Sequence, residues 1–178
     1  MELREQTIES NEVFSGRLVK LRVDKVRLPD GRETTREVVV HRGAVAVVPV
    51  TDDGKVILVR QYRQAAGEVL MEIPAGTLEP GEDPADCARR EVQEEVGYRS
   101  DDLSLLFRSY LAPGYSTEML HTFVARKLTR VGADRDADEF IEVVEAPIDD
   151  ALRFIETGSI KDAKTICGIL MAIRKLEG

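Results

Sequence analysis

The segment Ala44-Val45-Ala46-Val47-Val48-Pro49-Val50 contains no side chain that can face water favourably over its whole length. A run with no polar alternation reads as a strand buried on both faces, which requires cover from two sides. The rest of the chain supplies further strands and helices. Val13 to Leu28 and Thr34 to His41 are strand-like and flank Leu28-Pro29-Asp30-Gly31, a turn sequence, so they are expected to pair as a β-hairpin. Val56 to Tyr62, Leu103 to Tyr110, Glu118 to Leu128 and Glu139 to Val144 are further strands by β-branched and aromatic content. Three helices are expected, over about 83–96, 148–156 and 162–176, the last with Ile166, Ile169, Leu170 and Ile173 at helical spacing. With 178 residues, 43% of them hydrophobic, the chain is large enough for a real core, and one compact α/β domain is the expectation.

Charge and cysteine usage exclude several functions. A formal net charge of -8 argues against nucleic acid as a partner, because affinity for a phosphate backbone comes from clustered Lys and Arg. A small phosphorylated substrate stays open, since metal ions can supply positive charge. Cys87 and Cys167 have neither the number nor the spacing of a disulfide framework or zinc site, and both are expected to be small buried hydrophobes in a reducing compartment. No apolar run approaches the ~20 residues of a membrane span, and Met1-Glu2-Leu3-Arg4-Glu5 lacks the features of a signal peptide. A cytoplasmic location is expected, with no membrane partner.

The helix over 83–96 carries the chemistry. Asp83 as N-cap, Pro84 at the first helical position and Gly97 beyond the end bracket it, and Ala85, Ala88, Val92 and Val96 form its core-facing stripe. Glu91, Glu94 and Glu95 project from one edge of that stripe. Like charges so spaced cost ~0.2–0.5 kcal/mol per pair, and the C-terminal half of a helix disfavours negative charge further. Such a pattern either holds a cation or forms a solvated acidic face. The preceding Pro74-Ala75-Gly76-Thr77-Leu78-Glu79-Pro80-Gly81-Glu82 can bring backbone carbonyls and the Glu82 carboxylate close to the helix. Oxygen-only ligands with incomplete protein coordination suit Mg2+ or Mn2+, and so phosphoryl chemistry.

Gly76, five residues, Glu82, seven residues, then Arg90-Glu91-Val92-Gln93-Glu94-Glu95-Val96-Gly97-Tyr98 resembles the signature of Nudix hydrolases. Tyr98 departs from the smaller aliphatic residue more usual there. The resemblance implies an α/β/α sandwich with a mixed sheet, preceded by the N-terminal β-sheet or hairpin. It implies Glu91 and Glu95 as main metal ligands, Glu94 and the Ala75 carbonyl as further ligands, and Arg90 as the residue orienting a ligand glutamate. Glu82 would either bind metal or cap the loop.

The wider chain resembles the ADP-ribose pyrophosphatase branch of that family, through 59–63, 72–76, 112–118 and 160–165, with Pro113 sixteen residues after Gly97. That branch implies hydrolysis of ADP-ribose to AMP and ribose 5-phosphate. Alternatives are another nucleoside diphosphate sugar such as GDP-mannose, or a non-catalytic sensor. For the substrate, Arg63 is the candidate phosphate or adenine contact, Arg60 a second cation or merely an exposed strand residue. Glu72 is a candidate for the adenine or its ribose, and Glu118 for ribose hydroxyls, unless it is only a strand-end carboxylate. Water activation falls to Glu139, to Glu142 or to Glu94 itself. Residues 1–42 are expected to form an N-terminal β segment that joins two copies into a homodimer, and 43–178 the catalytic domain.

Overall fold

The computed structural model describes residues 2–134 and 140–177. The chain divides into two compact units, Met1–Gly43 with Ser109–Met119, and Ala44–Arg108 with Leu120–Gly178.

The first unit is built on an antiparallel sheet of β1 (Gln6–Ser15), β2 (Lys20–Arg27) and β3 (Glu33–Val40), in that order. Three strands stand where a hairpin was expected, because the stretch read as one strand over 13–28 turns at Gly16, whose N–H donates to the Val19 carbonyl at 2.9 Å. The expected turn at Pro29-Asp30-Gly31 does join β2 to β3, closed by a Gly31 N–H to Leu28 carbonyl bond of 2.9 Å. The Pro-Gly loop of Ser109–Met119 belongs to this unit, where the Val39 N–H donates to the Tyr115 carbonyl at 2.7 Å.

In the second unit, β4 (Ala44–Pro49) is buried at every residue. It lies between β7 (Ala75–Thr77), antiparallel, and β9 (Met119–Arg130), parallel, with β8 (Tyr98–Tyr110) beyond β9. A second sheet has the order β10 (Glu142–Pro147), β5 (Lys55–Arg63), β6 (Glu68–Glu72), antiparallel throughout. Two cores follow from the period-2 alternation of β4. Ala44, Ala46 and Val48 join a cluster with Ile73, Ala151, Ile160, Ile169 and Ala172, against α2 (Ile148–Glu156) and α3 (Ala163–Glu177). Val45 and Val47 join another with Cys87, Ala88, Val92 and Val96, on α1 (Pro84–Glu91) and the turn after it. The result is an α/β/α sandwich around mixed strands.

Two short strands depart from sequence expectation. β6 and β7 carry weak strand propensity, and β7 contains a glycine; they form because β5 and β4 offer them backbone partners, a tertiary effect overriding local preference. Cys87 is buried as expected, whereas Cys167 is exposed, since it falls between the buried residues Thr165, Gly168 and Ile169 on the outer side of α3. Among the described residues no helix is long and apolar enough to cross a membrane.

Gly97 ends the signature helix in the left-handed region, at φ +78°. A Cβ there would lie 2.8 Å from the Ala133 nitrogen and 3.0 Å from the Gly132 carbonyl carbon, both backbone atoms that cannot swing aside. Gly97→Ala is therefore expected to destabilise the protein by about 2–4 kcal/mol, combining left-handed strain with overpacking. Urea unfolding should show a lower midpoint at unchanged slope; a loss below about 0.5 kcal/mol would contradict the close approach.

Candidate active site

The Asp83 carboxylate accepts from the Ala85 N–H at 2.8 Å, satisfying one of the donors left open at the start of α1. α1 buries Cys87 and Ala88 and stops being α-helical at Glu91; Val92–Val96 forms a π-helical turn that carries the chain to Gly97. Uniform α-helix to Val96 was the expectation from the sequence. Such turns are rare and concentrate at functional sites. Here Glu91 is 8% exposed and Glu95 4%, both buried, while the Glu94 side chain is about a third exposed.

The buried carboxylates meet the β7 backbone. The Ala75 N–H donates to Glu95 Oε2 at 3.2 Å, and a Cβ on Gly76 would overlap the Glu91 carboxylate. Glycine at 76 is thus what lets the strand come down onto Glu91. Ala75 and Gly76 are themselves fixed by pairing with Ala46 and Val45 of β4.

Arg90 sits among the other acids. Its Nε and Nη2 donate to the two oxygens of Glu82 at 3.0 and 3.1 Å. Its Nη1 donates to Glu91 Oε1 at 2.7 Å and Glu94 Oε2 at 2.9 Å. Glu82 also accepts from the Glu79 N–H at 2.9 Å, so of the two roles left open for it these bonds support the loop cap. The Arg90 hydrogen bonds lower the Glu82 pKa to about 2, against the smaller opposing effect of desolvation, and Glu82 in turn raises that of Arg90. The Cys87 thiol, pushed up to about 12 chiefly by burial and then by its Glu82 neighbour, stays protonated.

Among the described residues no three Asp, Glu, His or Cys side chains converge tightly enough to cage a metal by themselves. Magnesium does not need such a cage; it takes one or two carboxylates and completes its shell with water and substrate phosphate. Two buried carboxylates beside a strand that supplies backbone carbonyls are a donor set of that kind, all oxygen and hard.

A second charged cluster begins at the end of β5. Arg63 Nε and Nη2 donate to the two oxygens of Glu72 at 2.8 and 2.9 Å, a bidentate pair. Glu72 is 1% exposed and also accepts from Lys164 Nζ. Lys164 donates to Asp162 Oδ2 at 2.9 Å, and that oxygen accepts from the Thr165 N–H at 3.0 Å and its hydroxyl at 2.5 Å. Burial alone would push the Glu72 pKa up; its bonds with Arg63 and the Lys164 charge outweigh that, and it lies below the usual carboxylate range. Arg63 is raised, first by its hydrogen bonds to Glu72 and then by the Glu72 charge, with Glu95 and Asp162 adding less, while burial opposes them.

The remaining candidates lie elsewhere. Arg60 and Glu142 are register partners on β5 and β10, joined at 2.7 Å in an exposed ion pair. Glu118 belongs to the first unit, its carboxylate 3.9 Å from His41 Nδ1. Glu139 falls outside the described residues. Lys164 and Asp162 received no role from the sequence. The signal for them is a lysine in the first turn of a helix, where the dipole disfavours a cation unless an anion holds it.

With this geometry the family follows. Residues 40–167 match the NUDIX domain, and the chain belongs to the Nudix family. Within it, residues 5–39 match the nucleoside diphosphate sugar hydrolase N-terminal domain. The chain is 44% identical over 169 residues to ADP-ribose pyrophosphatase of Bacillus subtilis (strain 168), covering 94% of this chain and 91% of that one. It is 42% identical over 167 residues to the methanol dehydrogenase activator of Bacillus methanolicus, covering 93% and 90%. It is 40% identical over 136 residues to GDP-mannose pyrophosphatase of Yersinia pestis (strain Pestoides F), covering 70% and 67%. A solved structure described as an ADP compounds hydrolase shares the fold, with a TM-score of 0.89 at 24% identity over 100% of this chain and 97% of that one.

Gly76→Ala should displace the Glu91 carboxylate, a movable side-chain end, while sparing the fold. Metal-dependent turnover is expected to fall at least about tenfold, the scale of losing a positioned charged group. Thermal unfolding should shift by only a few degrees; full turnover would show that Glu91 need not occupy this seat.

Proposed function

We propose that the protein is a magnesium-dependent hydrolase that cleaves the diphosphate of ADP-ribose with water, giving AMP and ribose 5-phosphate. The observation that carries this reading is the seating of buried Glu91 and Glu95 against the Ala75-Gly76 strand. Glu91, Glu95 and the Ala75 carbonyl would hold the metal, with Glu94 beside them. When bound, magnesium neutralises diphosphate charge and acidifies a water. Arg90 holds the Glu91 and Glu94 carboxylates in place, and Glu82 holds Arg90. Glu94, the most exposed of the three helix glutamates, is the described group best suited to accept a proton from water. Arg63 keeps N–H groups beyond the two that Glu72 engages and offers them to a phosphate. The exposed Arg60–Glu142 pair is better explained as a strand-surface contact.

Hydrolysis of another nucleoside diphosphate sugar, such as GDP-mannose, is a second reading, favoured by the Yersinia relative of that name. It differs only in the base and sugar contacts. A non-catalytic sensor draws no support from a site that keeps Arg90, Glu91, Glu94 and Glu95. The β1 strand, exposed along its length with Ile8, Val13 and Phe14 uncovered, supports a homodimer formed through the first unit. The reducing cytoplasm suits an exposed Cys167 thiol.

Purified protein with Mg2+ should release AMP from ADP-ribose faster than GMP from GDP-mannose, the reverse order favouring the second reading. Glu95→Gln should lower kcat at least about 100-fold with the fold intact; unchanged turnover would remove Glu95 from the mechanism. Sedimentation should give twice the chain mass of 19.8 kDa, and a monomer would end the dimer reading.

A further inference from the structure

The Arg63 fork is anchored more elaborately than a surface arginine requires. Glu72, its partner, is fully buried and shares its charge with a second cation, Lys164. Lys164 is itself almost enclosed, its side chain 12% exposed, so it contributes little to the protein surface. From Lys164 a closed ring of bonds returns to the strand. Lys164 donates to Asp162, Asp162 accepts from the Thr165 hydroxyl, and that hydroxyl accepts from the Ile73 N–H at 2.9 Å, one residue beyond Glu72.

We propose that Lys164 is a positioning residue: through the buried Glu72 carboxylate it fixes the Arg63 guanidinium so that the edge Glu72 leaves open faces the substrate phosphate. The inference rests on the functional reading above, in which Arg63 is a phosphate contact. Arg63 reaches Glu72 with Nε and Nη2, and a bidentate pair sets the plane of the guanidinium. The plane is only as well fixed as the carboxylate that accepts it. Glu72 Oε2 takes both Arg63 Nη2 and Lys164 Nζ, so the lysine blocks rotation of the carboxylate about its last bond. By sharing Glu72, Lys164 also keeps Arg63 from being fully neutralised, leaving a positive field on its open side. Arg63 remains 41% exposed, so the N–H groups that Glu72 does not engage stay open to a ligand.

The alternative is that Lys164 merely ties α3 to β6. The two differ in a double-mutant cycle. Lys164→Met should raise KM for ADP-ribose about tenfold with kcat within about twofold, and leave the Mg2+ concentration for half-activation unchanged. Arg63→Ala should raise KM at least as much, and the double variant should be no worse than Arg63→Ala alone. Lys164→Arg should restore most of the loss. Should Lys164→Met not fold, Lys164→Leu, which likewise removes both the charge and the donor to Glu72, carries the same test. An unchanged KM, or a double variant whose loss is the product of the two single losses, would overturn the link. Calorimetric binding of ADP-ribose to metal-free protein repeats the cycle without turnover. An enzyme inactive on ADP-ribose yet binding it with this non-additive pattern would sink the functional reading and keep the link; Arg63→Ala without effect on binding would sink the link.

Discussion

The two-sided burial of β4 is the constraint on which the second unit depends. A strand with no solvated face must be covered by helices on one side and by the signature helix on the other, and its own backbone must be paired along both edges. One of those edges recruits β7, a strand too short and too glycine-containing to form by itself. The backbone of Ala75 and Gly76 is held because it pairs with the fully buried Val45 and Ala46, and Glu91 and Glu95 are seated because Ala75 and Gly76 are held. Packing of valines and placement of carboxylates are one problem here.

The charged groups obey a common rule. Among the described residues, each buried carboxylate of the second unit has been given donors before any ligand arrives: Ala75 N–H for Glu95, Arg90 for Glu91, Arg63 and Lys164 for Glu72. Burying an ion without such partners costs several kcal/mol. Arg90 is shared among three acids, and Glu72 between two cations, so the protein economises on counter-charges. Sharing of this kind also correlates the positions of side chains that would otherwise move independently, which is what a site for a diphosphate requires.

How far the sequence reveals this can be judged residue by residue. The helix bounded by Asp83, Pro84 and Gly97 was legible because capping chemistry is local, and the glutamates were legible because their spacing is fixed by the helix that carries them. β4 was legible because seven apolar residues admit few alternatives. β7 was not, since its existence depends on a partner thirty residues earlier in the chain. The third N-terminal strand was hidden for the opposite reason: Val13 to Leu28 is strand-like throughout except for one glycine, and the turn there is a backbone event. Lys164 escaped because Glu72 lies 92 residues away, and no local pattern reports a contact of that range.

The π-helical turn at Val92–Val96 places the last signature glutamates in a stretch that is not the most stable form of its own backbone. Re-winding these five residues at constant length into regular α geometry would tighten the turn and rotate Glu95 around the axis relative to Glu91. Stability and chemistry therefore pull on these five residues in opposite directions, and any redesign that idealises this helix would gain a sturdier protein with its Glu95 carboxylate aimed away from Ala75.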